Sequence, residues 1–106
     1  MRYIKCMEIS QSLYYFLLVL NEPLHGYQIM QEIHKASKGS LSMGPGTCYG
    51  LISRCLDEKL IVLVSEEKRK KIYQISSKGK QALEVELNRL EIQVEMTKLY
   101  FGGMHV

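Results

Sequence analysis

The sequence predicts a mostly α fold with a small β-hairpin, an α+β arrangement in which three short helices precede the hairpin and a long helix follows it. Two observations carry that prediction. Apolar residues recur at helical spacing in four separate segments, and two short runs rich in Val, Ile and Leu flank a charged cluster at 66–70. Length adds a constraint, because 106 residues suit one domain with one modest core that these elements must share.

A first helix is predicted over 8–21. Ile9, Leu13, Phe16, Leu17 and Leu20 recur at helical spacing, and Tyr14, Leu18 and Val19 widen the apolar arc. So wide an arc needs cover on more than one side, from the domain centre or from a second subunit. Pro23 ends this helix, since proline interrupts the hydrogen-bond ladder. A second helix follows from about His25 to Ser37, with Ile29, Met30 and Ile33 inward and Tyr27 at the edge of that face. His25 is expected to cap or pack at its start, and Lys38-Gly39-Ser40 forms the next loop.

The third helix has the clearest start in the chain, with Gly44 as N-cap and Pro45 at the first helical position. Cys48, Ile52 and Cys55 form its inward row, with Leu51 and Leu56 beside them. Gly46, Tyr49, Gly50, Ser53 and Asp57 form a small, polar and aromatic opposite face. Leu60–Ser65 and Lys71–Ser76 then read as strands joined by a charged tip, Glu66-Glu67-Lys68-Arg69-Lys70.

Ser76 or Ser77 caps a long last helix running to about Tyr100. Leu83, Leu87, Leu90, Val94 and Phe101 fit a heptad seam in which Thr97 is the single polar member. Val85, Ile92, Met96 and Leu99 form a second stripe. A domain this small is not expected to cover both stripes, so a partner chain is the economical reading. Gly102-Gly103 stops the helix. The whole order is that of a winged helix-turn-helix domain over 1–76, a C-terminal dimerisation helix over 77–101 and a tail over 102–106. Leu13, Leu17 and the seam residues are the expected homodimer interface.

The net charge of +3 is weakly basic, but its distribution is uneven. Residues 1–79 hold eleven Lys/Arg against seven Asp/Glu, whereas 80–106 hold three against four. The densest run is Lys68-Arg69-Lys70-Lys71, which suits an acidic partner such as DNA, although a solvated basic loop is the plainer explanation. Three cysteines (Cys6, Cys48, Cys55) make no disulfide framework. Cys48 and Cys55 lie two helical turns apart, roughly 10 Å along the axis, too far for a bridge within the helix. They are expected to be small core hydrophobes. No secretory leader is visible and the apolar run Leu13–Leu20 is too short to span a bilayer, so a cytoplasmic location is expected. No CxxC or HxxxH spacing points to a metal, no cofactor is expected, and no nucleophile–base pair suggests an enzyme.

Three segments then carry a resemblance. Pro23-Leu24-His25-Gly26-Tyr27-Gln28-Ile29 resembles the "PLHGYEI" opening of the second helix in the PadR family of transcriptional regulators. Pro45-Gly46-Thr47-Cys48-Tyr49 is similar to that family's "PGTLY" at the start of its recognition helix. Lys70–Gly79 looks like the "RRKYYRLTEEG" wing strand and final helix cap. They occur in family order and spacing, over roughly 8–100. The short chain resembles the subgroup in which a single C-terminal helix makes the dimer, and this implies a small-molecule effector at the dimer interface. The sequence departs from the pattern at Gly44 and Gly50, and at Lys59, which stands where a glycine usually ends the recognition helix. It also lacks Trp, the flat plate on which drug-binding members stack ligands, so a drug-sensing role does not carry over.

The implied function is a sequence-specific DNA-binding regulator, a homodimeric repressor released by an effector. Gly46, Thr47, Tyr49, Gly50 and Ser53 would face the major groove, and Lys68, Arg69, Lys70 and Lys71 the adjacent backbone or minor groove. Slim glycines let backbone amides approach a phosphate, and the Thr47 and Tyr49 hydroxyls can bond one. The alternative for this face is a tight helix start with Tyr49 packed internally. Arg54 is a weaker candidate, because Asp57 and Glu58 lie one turn away. Two other functions stay open: a dimeric protein-interaction module that keeps the fold without specific DNA binding, and a carrier of apolar ligands.

Overall fold

The computed structural model describes residues 9–102. The elements follow the order α1 (Gln11–Val19), α2 (Gly26–Ala36), α3 (Pro45–Asp57), β1 (Ile61–Glu67), β2 (Lys70–Ile75) and α4 (Ser77–Phe101). This is the winged-helix α+β arrangement. Cys6, the first residue of the predicted 8–21 helix and most of the tail over 102–106 lie outside the described residues.

Ser10 caps α1, its hydroxyl accepting from the Leu13 amide at 3.1 Å. The helix stops at Val19, short of the expected 21, because the chain is needed elsewhere. The Leu20 carbonyl accepts from the Ile75 amide at 2.8 Å, and Leu24 exchanges two backbone bonds with Tyr73 at 2.8 and 2.9 Å. The α1–α2 connection thus meets the free edge of β2 in an isolated antiparallel bridge at Leu24 and Tyr73. Pro23 breaks no helix, which has already ended.

Leu13, Phe16, Leu17 and Leu20 of the first helical segment meet Ile29 and Ile33 of α2, Cys48, Ile52 and Cys55 of α3, and Leu60, Ile61, Tyr73 and Ile75 around the hairpin. All are buried, so the inward rows expected for α2 and α3 do face the core. Leu13 and Leu17 are a correction: at 1% and 0% exposure they lie wholly inside their own domain and cannot also face a partner. The domain core covers the Leu13, Phe16, Leu17 and Leu20 side of the apolar arc of α1, whereas Tyr14 and Val19 are half-buried and Leu18 is exposed.

Both α2 and α3 close in the same way. Lys38 (φ 53) and Lys59 (φ 62) take the left-handed conformation just past their helices. The next residue in each case donates back to a late helical carbonyl, Gly39 to His34 and Leu60 to Cys55, both at 2.8 Å. Lys59 therefore makes the turn usually given to glycine.

The hairpin is longer and its tip tighter than expected. Glu66 pairs in register with Lys71 and Glu67 with Lys70, so Glu66, Glu67 and Lys70 extend the strands and leave only Lys68 and Arg69 in the turn. Opposite charges set directly across an antiparallel pair favour that extension. Both turn residues have positive φ (50° and 69°), the two-residue turn whose twist matches a hairpin. A register shift between Leu63 and Ser65 marks a bulge in β1.

The start of α4 is fastened to the α3–β1 junction. Ser76 accepts from the Gly79 amide at 3.0 Å and donates to the Lys59 carbonyl at 2.7 Å. Lys78 reaches the Glu58 carbonyl at 3.0 Å. Leu83 packs partly on the core and Glu86 is buried in an ion pair with Arg89. From Glu91 to Phe101 every residue is exposed.

Candidate nucleic-acid interface

Three elements, α2, α3 and β2, and the hairpin turn converge on a cleft of about 460 Å³, lined by His25, Gly26, Tyr27, Tyr49, Arg69, Lys70, Lys71 and Tyr73. The first three residues open α2, Tyr49 projects from the second turn of α3, and the basic residues come from the wing. Gly26 is buried because α3 docks on it. The Cys48 thiol donates to its carbonyl at 3.7 Å, and a Cβ built on Gly26 would lie 2.7 Å from the Tyr49 hydroxyl. The Tyr49 ring therefore rests across the first turn of α2 while remaining 55% exposed. That exposure overturns the reading in which Tyr49 packs internally.

Burial pushes the Tyr73 phenol up from its ordinary value, and the nearby Tyr49, Glu66 and Cys48 add to the shift. Tyr73 is thus a neutral wall of the cleft, and the positive charge comes from Arg69, Lys70 and Lys71. Glu66 and Glu67 stand opposite two of these, which moderates the local field.

The expected recognition residues divide into two groups. Tyr49, Arg69, Lys70 and Lys71 share the cleft, whereas Gly46, Thr47, Gly50 and Ser53 lie exposed along α3 outside its lining, and Lys68 is exposed at the wing tip. Beyond its chain neighbours and the backbone of its own helix, a Cβ built on Gly44, Gly46 or Gly50 would meet nothing within 4 Å, so these glycines leave open space on that face. Arg54 pairs with Glu58 at 3.3 Å, the structural role weighed for it above. His25 is the N-cap residue of α2, its amide donating to the Gln28 side chain at 3.1 Å.

Sequence reasoning missed His25, Gly26 and Tyr27 as parts of this site. Tyr27 is 62% exposed, not a core-edge residue. The signal was present in the segment Pro23–Ile29, but spacing along the chain does not bring the start of α2 beneath the wing; α2–α3 packing does.

The other expected surface is α4. Leu87, Val94 and Phe101 are exposed, Leu83 and Leu90 are half-buried, and Val85, Ile92, Met96 and Leu99 are exposed on the second stripe. Between α1 and α4 runs a groove of about 620 Å³, bordered by Tyr14, Tyr15, Leu18, Glu86, Arg89 and Leu90. Among the described residues, no group of three or more His, Cys, Asp or Glu side chains could hold a metal ion, and no helix is long and apolar enough to cross a membrane.

The family model for the Transcriptional regulator PadR-like family matches residues 16–85, two-thirds of the chain, from the core of α1 into α4. The chain belongs to the PadR-like family. Solved structures of PadR-like and other transcriptional regulators share its fold. A transcriptional regulator from Clostridium thermocellum superposes with a TM-score of 0.70 at 18% identity, covering 82% of this chain and 89% of that one. A PadR-like transcriptional regulator from Bacillus cereus gives 0.68 at 22% identity, with 86% and 91% covered. A PadR family regulator from Eggerthella lenta gives 0.69 at 16% identity, with 88% and 84% covered. Among curated proteins none matches the chain. This PadR-like chain is therefore a transcriptional regulator by family.

Proposed function

We propose that this PadR-like chain binds a specific double-stranded DNA operator as a cytoplasmic homodimer and acts as a repressor. One observation carries the reading: the exposed Tyr49 on α3 and the basic wing residues Arg69, Lys70 and Lys71 open onto a single cleft. A winged helix lays one helix in the major groove while its hairpin meets adjacent backbone, and both contacts must be reachable from one side. Base edges are then met by Thr47, Tyr49 and Ser53 over the slim Gly46 and Gly50, and phosphates by Lys68–Lys71.

The exposed apolar residues of α4 support dimerisation, since such stripes on a helix extending from its domain call for a covering chain. In that dimer the α1–α4 groove becomes enclosed, and Tyr14 and Tyr15 offer aromatic surface for a small-molecule effector that alters the separation of the two recognition helices. The domain division at residue 76 follows, with α4 serving the dimer.

The competing reading, a protein-interaction module, draws on Val62, Leu63 and Val64, which are exposed on β1. Gel-shift or anisotropy measurements with DNA from upstream of the chain's own gene separate the two. Specific binding is expected, with an affinity that falls steeply as salt rises. Replacing Lys68–Lys71 by Ala should lower the log–log salt slope by about 0.9 for each phosphate no longer neutralised. A dimer with no specific shift, and a slope untouched by those substitutions, would favour the interaction module.

A further inference from the structure

We propose that Gly26 is a positioning residue for DNA recognition: its missing side chain seats the Tyr49 phenol across the first turn of α2, so that α2 and α3 present that phenol to DNA in one fixed place. The inference rests on the DNA-binding reading above and adds a residue that need not touch DNA itself.

The contact is specific. From a Cβ built on Gly26, the Tyr49 hydroxyl oxygen, Cζ and Cε1 lie at 2.7, 2.9 and 3.0 Å. Three side-chain atoms at or below 3.0 Å leave no room for a methyl, so any L side chain at 26 must displace the ring. The backbone beneath cannot yield readily, because the Cys48 thiol bonds the Gly26 carbonyl and Gly26 is buried at the α2–α3 contact. An exposed tyrosine on a slim helix face would otherwise sample several rotamers and lose that freedom on binding. Resting on Gly26, Tyr49 is already placed beside Arg69, Lys70 and Lys71. Recognition contacts are strongest when their rotamers are held by neighbouring groups.

The test is a double-mutant cycle on the full chain, read as operator affinity by fluorescence anisotropy, with thermal melts as a check of folding. The probe is the DNA fragment that wild type selects from genomic DNA. Gly26→Ala should weaken operator binding roughly tenfold, the scale of one recognition contact, and Tyr49→Ala by a similar factor. With the ring removed the added methyl has space, so Gly26→Ala in the Tyr49→Ala background should change affinity by less than about twofold. That half of the cycle remains decisive even if the single Gly26→Ala variant fails to fold. A tenfold loss in the Tyr49→Ala background, or no loss from Gly26→Ala in wild type, would overturn the positioning role while leaving DNA binding intact. Wild type that selects no DNA at all would overturn the DNA reading and this role together.

Discussion

Gly79 packs directly beneath the Leu60 carbonyl, and a β-carbon there would strike that oxygen and come within 2.6 Å of Ile75 Cγ1. The first of these neighbours is backbone at the α3–β1 junction, which Ser76 and Lys78 already tie to the start of α4. This one glycine sets how closely α4 approaches the winged-helix domain.

Gly79→Ala should therefore destabilise the domain by about 2 kcal/mol, within the range for overpacking a filled site. That corresponds to a fall of about 10 °C in Tm for a domain of this size. Alanine is the better helix former, so helix propensity alone predicts the opposite sign. An unchanged or raised melting midpoint would mean that α4 is not held at this distance.

At Lys59 the direction reverses. The residue occupies the left-handed region at φ 62, where a β-carbon costs about 1–2 kcal/mol and glycine costs nothing sterically. Lys59→Gly should stabilise the chain by about 0.5–1 kcal/mol after allowing for the greater freedom of glycine when unfolded. Lys59→Ala should bring no such gain, because alanine keeps the β-carbon. Urea melts of the two variants distinguish backbone relief from loss of the lysine charge.

Burial pushes the Cys55 thiol from 9.0 to about 11; Arg54 pulls it down and Glu58 raises it further, both more weakly. The folded state therefore prefers the protonated thiol. This preference is fully present below pH 9 and is lost as pH rises towards 11, a change of about 2–3 kcal/mol by linkage. Cys55→Ala should flatten the stability profile between those pH values. At about pH 8 neither Cys48 nor Cys55, both fully buried, should react with a thiol reagent before unfolding. Rapid native-state labelling of either would contradict this packing.

On α4, Val94 is 55% exposed whereas Leu13 on α1 is 1% exposed, although the sequence predicts both at the interface. Val94→Glu should shift the chain from dimer to monomer in sedimentation at micromolar concentration and leave the winged-helix core folded. Leu13→Glu should instead unfold the domain, because it places an unpaired carboxylate in the core. A wild-type chain that sediments as a monomer would remove the dimer from the reading.

Much of this was legible in the chain itself. The Gly44-Pro45 start of α3, the inward row of Cys48, Ile52 and Cys55, and the Ser76 cap of α4 are local events, governed by spacing and by which residues cap a helix. The placement of Arg54 beside Glu58 is local too, four residues apart on one helix. Hairpin length was less legible, because Glu66 and Glu67 read as turn residues until strand register set them across from Lys71 and Lys70.

By itself, the sequence determined the order and kind of the elements, the inward faces of α2 and α3, and the basic residues of the wing. Each follows from hydrophobic period, capping chemistry or charge within a short stretch. Only the tertiary structure decided the rest. It assigned Leu13 and Leu17 to the core and not to a partner, bridged Leu24 to the edge of β2, and brought the start of α2 under Tyr49 and the wing. An apolar periodicity states that a face must be covered but not by what. Two glycines made the same point, since the need for Gly26 and Gly79 arises from atoms 23 and 19 positions away in the chain, the Tyr49 ring and the Leu60 carbonyl.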